Sequence, residues 1–199
     1  MTVLAYDTER RRNADLIADC VELDYIGFSD VILDPTYGLG NWWTNITPHM
    51  LRRHDLDPEK APDGAMDFTA LAYDAESFDV VAFDPPYKLN GRPDAAVDAA
   101  YGVHERRTTD QRITLMLDGL TECIRVVKRR GYVLAKCQDQ VVSGNVVWQT
   151  RIMAGHAEEH GCRLVDQLHV SSYRRQPPGR RQVHAARNVS TLLVLRKNR

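Results

Sequence analysis

Residues 84–87, Asp-Pro-Pro-Tyr, close the apolar run Phe78–Phe83 with a carboxylate, two residues that have no N–H, and an aromatic ring. Consecutive prolines fix φ and donate nothing, so no local donor competes for the Pro85 carbonyl. The corner therefore offers two hydrogen-bond acceptors beside an aromatic face. By composition, such a tetrapeptide arises in a chain of this length on the order of once in a thousand, which sets it apart from an ordinary Pro-Pro turn. A second turn, "VILDPTYGLGNWW", places Asp34 at the end of another apolar run, with Gly38 and Gly40 following. Glycines there permit positive φ and let a ligand reach the backbone with no Cβ in the way. A G-x-G after a strand belongs equally to nucleotide-binding folds and to tight turns, and without Gly-Lys-Ser/Thr behind it this is no triphosphate cradle. Asp34 at the loop mouth would repel phosphate and suits a cationic ammonium group. Asp55 lies where an acid at the end of the second strand holds ribose hydroxyls, with Asp57 competing for the same place. Together these residues favour an adenosine ligand with a cationic tail and no phosphates.

Such residues work only if the fold brings them to one crevice. "NADLIADCVEL" spaces its apolar residues as a helix does. "DVILD", "SFDVVAFD" and "YVLAKCQ" are short apolar runs of the kind found in buried parallel strands, and "HMLRRHDLD" is a weaker strand ending near Asp55. "DQRITLMLDGLTECIRVVKRRG" predicts a helix with Ile113, Leu117, Leu120, Ile124 and Val127 on its apolar stripe and Gly131 as its stop. "NVVWQTRIMAGHAEEHG" predicts another helix, and "RLVDQLHVSSY" and "STLLVLR" two final strands. Alternating strands and helices imply an α/β fold around a parallel sheet. In such sheets ligands sit beyond the carboxyl ends of the strands, where both unusual turns fall.

With these elements in place, the chain resembles the amino-methyltransferases that use S-adenosyl-L-methionine to methylate exocyclic amines of bases, of the DNA N6-adenine/N4-cytosine type. "DPTYGLG" is similar to their cofactor loop, and "DPPY" to their Asp/Asn/Ser-Pro-Pro-aromatic catalytic turn. The motifs span roughly Val31 to Tyr87. The resemblance implies a Rossmann-like class I methyltransferase fold, a mostly parallel sheet of about seven strands with helices on both faces. It assigns catalysis to Asp84, Pro85, Pro86 and Tyr87, and cofactor binding to Asp34, Thr36, Gly38, Gly40, Asp55, Asp57, Asp67 and Phe68. An exocyclic amine is a poor nucleophile because its lone pair is conjugated into the ring. In enzymes of this kind the Asp84 carboxylate and the Pro85 carbonyl would accept both N–H protons, drawing the nitrogen towards tetrahedral geometry. Tyr87 would stack on a base rotated out of the helix or taken from a single strand. Catalysis is then positioning and preorganised polarity, and needs no metal. Trp42 and Trp43 wall the cofactor pocket or belong to the core, and Lys136 and Gln138 are candidates for the substrate side.

The bulk composition bounds the rest. A chain of 199 residues, 43% hydrophobic, suits one domain, here a single methyltransferase domain without a separate target-recognition domain. Four scattered cysteines with no C-x-x-C pair fit reduced thiols, and the N-terminus lacks an apolar signal region, so a cytoplasmic protein with no membrane partner is expected. From Tyr173 to Arg199 there are eight Lys/Arg and no acid, which leaves −9 on residues 1–172 of a chain with net charge −1. That asymmetry fits one face for an anionic partner. Lys88, Arg174, Arg175, Arg180, Arg181 and Arg187 are the expected phosphate grips, giving affinity without reading sequence. Asp at position 84 leans towards adenine N6, DNA ranking ahead of an RNA base (adenine N6 or guanine N2); the alternative is a catalytically inactive methyltransferase-like partner that binds nucleic acid. The substrate is then a short motif, a single strand or RNA, unless a homodimer or a second protein supplies specificity. "HAEEH", His156 to His160, matches an inverted zinc-peptidase pattern, but no third ligand is evident and a solvated helix face is the simpler reading.

Overall fold

The computed structural model describes residues 12–89, 108–171 and 182–198. In chain order its elements are α1 (Asn13–Glu22), β1 (Val31–Asp34), β2 (Met50–Arg53), β3 (Phe78–Phe83), α2 (Thr109–Val126), β4 (Val127–Cys137), β5 (Gln140–Val142), β6 (Asn145–Val147), α3 (Gln149–Glu159), β7 (Cys162–Ser171) and β8 (Val189–Lys197). Six strands form the main sheet in the order β2-β1-β3-β4-β8-β7. The first four run parallel, and β8 lies antiparallel between β4 and β7.

Strands buried on both faces read as continuous apolar runs, and their side chains divide by period two. Ile32, Val80, Ala82, Leu134, Leu192 and Val194 pack with Leu16, Ile17 and Cys20 of α1. Leu33, Val81, Phe83, Val133, Ala135, Leu193 and Leu195 pack on the other face with Met116, Leu120, Cys123 and Ile124 of α2 and Met153 of α3. Helices therefore cover both faces. The start of α2 is set by a capping box: Gln111 N–H donates to the Thr108 hydroxyl at 3.2 Å, and Thr108 N–H donates to Gln111 Oε1 at 2.9 Å.

Three expectations need correction. Among the described residues the main sheet has six strands rather than about seven, and beyond β2 lies only an isolated parallel bridge, Asp55 to Ala65. Segment 61–70, with a Pro, a Gly and no unbroken apolar run, has little to sustain a ladder. The helix α2 stops at Val126, and Gly131 is not its stop but lies inside β4. Val127 pairs with Phe78, and the ladder resumes only at Tyr132 opposite Val80, so residues 128–131 bulge out. A Cβ on Gly131 would stand 2.5 Å from the Asp79 carbonyl, so this glycine allows close approach to β3. Lastly, "NVV" opens no helix. It forms β6, paired with β5 through a two-residue turn whose central residues, Ser143 and Gly144, both have positive φ (49° and 85°). No helix among the described residues is long and apolar enough to cross a membrane.

Candidate active site

At the carboxyl ends of β1 and β3 lies a cavity of about 180 Å³, far larger than the ~10–15 Å³ that one water needs. Asp34, Asp55, Asp67 and Asp84 all line it, and among the described residues no Lys, Arg or His does. Such a wall is hostile to phosphate and suited to a cation.

Asp34 is only 4% exposed. Its Oδ2 accepts from the Trp43 indole N–H at 2.7 Å, and its Oδ1 accepts from Thr36 N–H at 3.0 Å. Burial pushes its pKa up to about 7; the bonds from Trp43 and Thr36 oppose the rise, and the charge of Asp84 adds to it. Thr36 joins the two turns, since its hydroxyl donates to Asp34 Oδ1 at 3.4 Å and accepts from Asp84 N–H at 2.9 Å.

Asp84 is half-buried, and its Oδ2 accepts from the Trp42 indole N–H at 2.9 Å. Its Oδ1 is buried and has no hydrogen-bond partner among the described residues. A buried acceptor left unpaired costs about 1–3 kcal/mol, and a charged one more, so this atom is one that a bound donor would satisfy. Burial raises the Asp84 pKa, while Lys136 and Trp42 pull it down. Lys136 is 2% exposed, and its ammonium is held by the side-chain carbonyl of Asn13 at the start of α1. It is thus buried at the end of β4 instead of facing solvent. Pro86 lines the cavity and Pro85 is buried.

Tyr87, expected to stack on a base, does not stand open to the cavity. It is half-buried and packs against the α2/α3 core. Its carbonyl accepts from Gln140 at 2.7 Å and Gln149 at 2.8 Å, and Leu89 N–H donates to Gln140 at 3.1 Å. These glutamines fix the chain leaving the Asp-Pro-Pro-Tyr turn. Gln138, also buried, donates to the Arg187 carbonyl at 2.7 Å.

Of the other expected cofactor residues, Thr36, Gly38, Asp55, Asp67 and Phe68 line the cavity, but Gly40 and Asp57 do not. Asp55 accepts from Gly38 N–H at 2.9 Å and so anchors the glycine loop. The Asp57 carboxylate is engaged elsewhere, accepting from Glu59 N–H at 3.0 Å and pairing with Lys60 at 2.9 Å. Gly40 (φ 70°) begins the 3-10 turn that carries both tryptophans, and a Cβ there would strike Tyr37 at 2.6 Å. Asp67 is exposed and accepts from Thr69, while Phe68 meets Phe83 edge-on at 5.4 Å. Both indoles are buried and Trp42 lines the cavity, within the two readings their sequence allowed; that each would bond a carboxylate, and that Lys136 would be buried, had no signal beyond the adjacent "WW".

The basic candidates divide. Arg174, Arg175, Arg180 and Arg181 lie outside the described residues, as does most of the loop 88–108. Lys88 is half-buried, and its carbonyl accepts from Arg112 at 2.9 Å. Arg187 stacks on the half-exposed Trp148 at 4.5 Å from the ring centre, near the carboxyl end of β4. His156 contacts the Thr121 hydroxyl at 2.8 Å and stacks on His160, and no group of three metal-ligating side chains occurs among the described residues.

No family model matches the chain, and no curated protein does. Solved structures do. A protein from Bacillus halodurans C-125 assigned as a methyltransferase aligns with a TM-score of 0.62 at 12% identity, over 93% of this chain and 100% of that one. The 1,6-didemethyltoxoflavin-N1-methyltransferase of Burkholderia thailandensis, which holds S-adenosylhomocysteine, aligns with a TM-score of 0.58 at 14% identity, over 94% and 79%. A protein from Thermus thermophilus assigned as a DNA modification methylase gives 0.49 at 13% identity over 74% of this chain. The chain spans about half that protein's length, 54%. The shared property is the fold: this chain has the Rossmann-like fold of S-adenosylmethionine-dependent methyltransferases.

Proposed function

We propose that the protein transfers a methyl group from S-adenosyl-L-methionine to an exocyclic amine of a nucleic-acid base, adenine N6 in DNA before an RNA base. One observation carries the reading: the strand-end carboxylates Asp34 and Asp84 line a single acid-walled cavity, and Asp84 keeps one buried oxygen without a partner among the described residues. The lining fits the cofactor. Asp34 answers a cationic ammonium, Asp55 ribose hydroxyls, and Phe68 with Asp67 an adenine ring and its amine. When bound, the cofactor supplies an electrophilic methyl on a sulfonium centre.

The chain's own groups do the rest. Asp84 Oδ1 accepts one N–H of the target amine and the Pro85 carbonyl the other. Trp42, which also lines the cavity, holds the carboxylate in orientation through Oδ2. Tyr87 would stack on the base after rotating away from the core it now packs against. Lys88, Arg187 and Trp148, with Arg174, Arg175, Arg180 and Arg181, would hold the strand, chiefly through phosphates.

Asp84→Ala is expected to keep S-adenosylmethionine binding and lower methyl transfer by at least ~10²-fold, the scale of losing one preorganised polar group. Retained transfer would remove Asp84 from the mechanism. Methyl incorporation into duplex DNA, single-stranded DNA and RNA, followed by mass analysis of the nucleosides, assigns the substrate. Label in RNA alone reverses the ranking, and label in none of the three ends the nucleic-acid reading.

A further inference from the structure

We propose that a groove at the opposite edge of the sheet from the carboxylate cavity is a binding site for a phosphate-type oxyanion. It is lined by Arg130, Arg163, Arg196, Lys197 and Asn198. Three elements converge to make it: the bulge in β4, the start of β7 and the end of β8. The β4 ladder from Tyr132 to Cys137 separates it from the catalytic edge, roughly 17 Å at ~3.3 Å per residue. It is therefore not part of the site already described.

The groove is arranged against its own electrostatics. Arg163 and Arg196 are directly opposed in the antiparallel β7–β8 register, a pairing that is destabilising for like charges. Arg130 is held at φ +64°, a conformation that bulky side chains rarely adopt. Among the described residues no carboxylate lies within ion-pair distance of these three guanidiniums, although Arg125, Lys128 and Arg129 nearby each have an acidic partner. Arg196 is preorganised: its Nε donates to the Arg130 carbonyl at 3.3 Å, and its guanidinium lies over Tyr132 at 5.5 Å. Its terminal N–H groups remain to meet a ligand.

Lys197 has a different task. Its ammonium donates to the carbonyls of Ile124 and Val127, both at 2.8 Å, and so satisfies the end of α2. The ligand-facing charge is thus that of three arginines, whose planar forks match phosphate oxygens in pairs. Three charges exceed that of one phosphodiester. They match a di- or trivalent phosphate compound, or two successive backbone phosphates.

Pyrophosphate and chloride at equal ionic strength are compared by thermal unfolding of the full chain. Binding to the folded state alone, at ~100 times the dissociation constant, raises Tm by roughly 5–10 °C. Arg163→Gln, an exposed change, is expected to weaken pyrophosphate about tenfold and to raise Tm in chloride, because it removes the opposed charge. An equal pyrophosphate response in wild type and variant, or no response in wild type, overturns the proposal. A labelled oligonucleotide separates the two sources. Weaker binding by Arg163→Gln, with a salt slope reduced by about one, assigns the groove to a nucleic-acid backbone. Unchanged oligonucleotide binding with pyrophosphate binding lost assigns it to a free phosphate compound. Neither readout depends on methyl transfer.

Discussion

Replacing Asp34 by Asn tests whether the acid wall is held under electrostatic load. With a pKa near 7 in the folded chain and 3.8 as the ordinary value, the folded state binds this proton more tightly than the unfolded state. Stability therefore falls as pH rises through that window. At 1.36 kcal/mol per unit, the burden is about 4 kcal/mol at pH 8 and about 1.7 kcal/mol at pH 5. Asn carries no such load, but it accepts through one oxygen, whereas Asp34 accepts from Trp43 on one and Thr36 on the other. That loss costs about 1–3 kcal/mol at either pH and cancels when the two are compared. The stability of Asp34→Asn relative to wild type should thus improve by about 2.5 kcal/mol between pH 5 and pH 8. With an m-value near 2 kcal/mol/M, that is a relative shift in urea midpoint of roughly 1 M. Parallel unfolding curves at the two pH values measure it. A stability difference independent of pH would refute the argument that Asp34 is buried without a compensating cation.

Two further changes probe the supporting residues. Trp42→Phe removes the donor to Asp84 Oδ2; that bond favours the anion, so the acidic limb of the pH–rate profile should move to higher pH. An unmoved limb would show that Trp42 does not tune this carboxylate. Gly119→Ala places a Cβ 2.5 Å from Phe68 and 2.7 Å from Phe83. The overpacking should cost about 1–3 kcal/mol, a fall in Tm of roughly 3–10 °C, and should weaken cofactor binding through Phe68. An unchanged Tm would mean that Phe68 yields freely.

How far the sequence could be read depended on whether the signal was local. The strands β1 and β3 announce themselves because both faces are buried, and their terminal acids reach one cavity because the strands are hydrogen-bonded neighbours. Gly131 misled because a basic stretch followed by Gly imitates a helix end, whereas its role is a backbone approach across the sheet. The β5–β6 hairpin was hidden in an apolar run too short to distinguish strand from helix. Nothing local says that adjacent indoles will divide between two carboxylates on different strands. That pairing follows from the left-handed Gly40, which starts the turn carrying them both. Tyr87 was misplaced for a related reason, since its burial depends on distant core residues of α2 and α3.

The two carboxylates are not equivalent, and the difference matches their proposed tasks. Burial raises the Asp84 pKa, and the buried charge of Lys136 and one indole oppose that rise. Asp34 has hydrogen-bond donors but, among the described residues, no cation beside it, and it also bears the charge of Asp84. Its ionisation is left to whatever enters the cavity, because no basic side chain of the described residues lines it. A cationic ligand there would favour the anion of Asp34 directly, and would offset its repulsion with Asp84. Thr36, bonded to both turns, keeps the two acids in register while this occurs. The acid meant to accept an amine proton thus carries its counter-charge within the protein. The acid meant to hold the methyl donor waits for its own from the ligand.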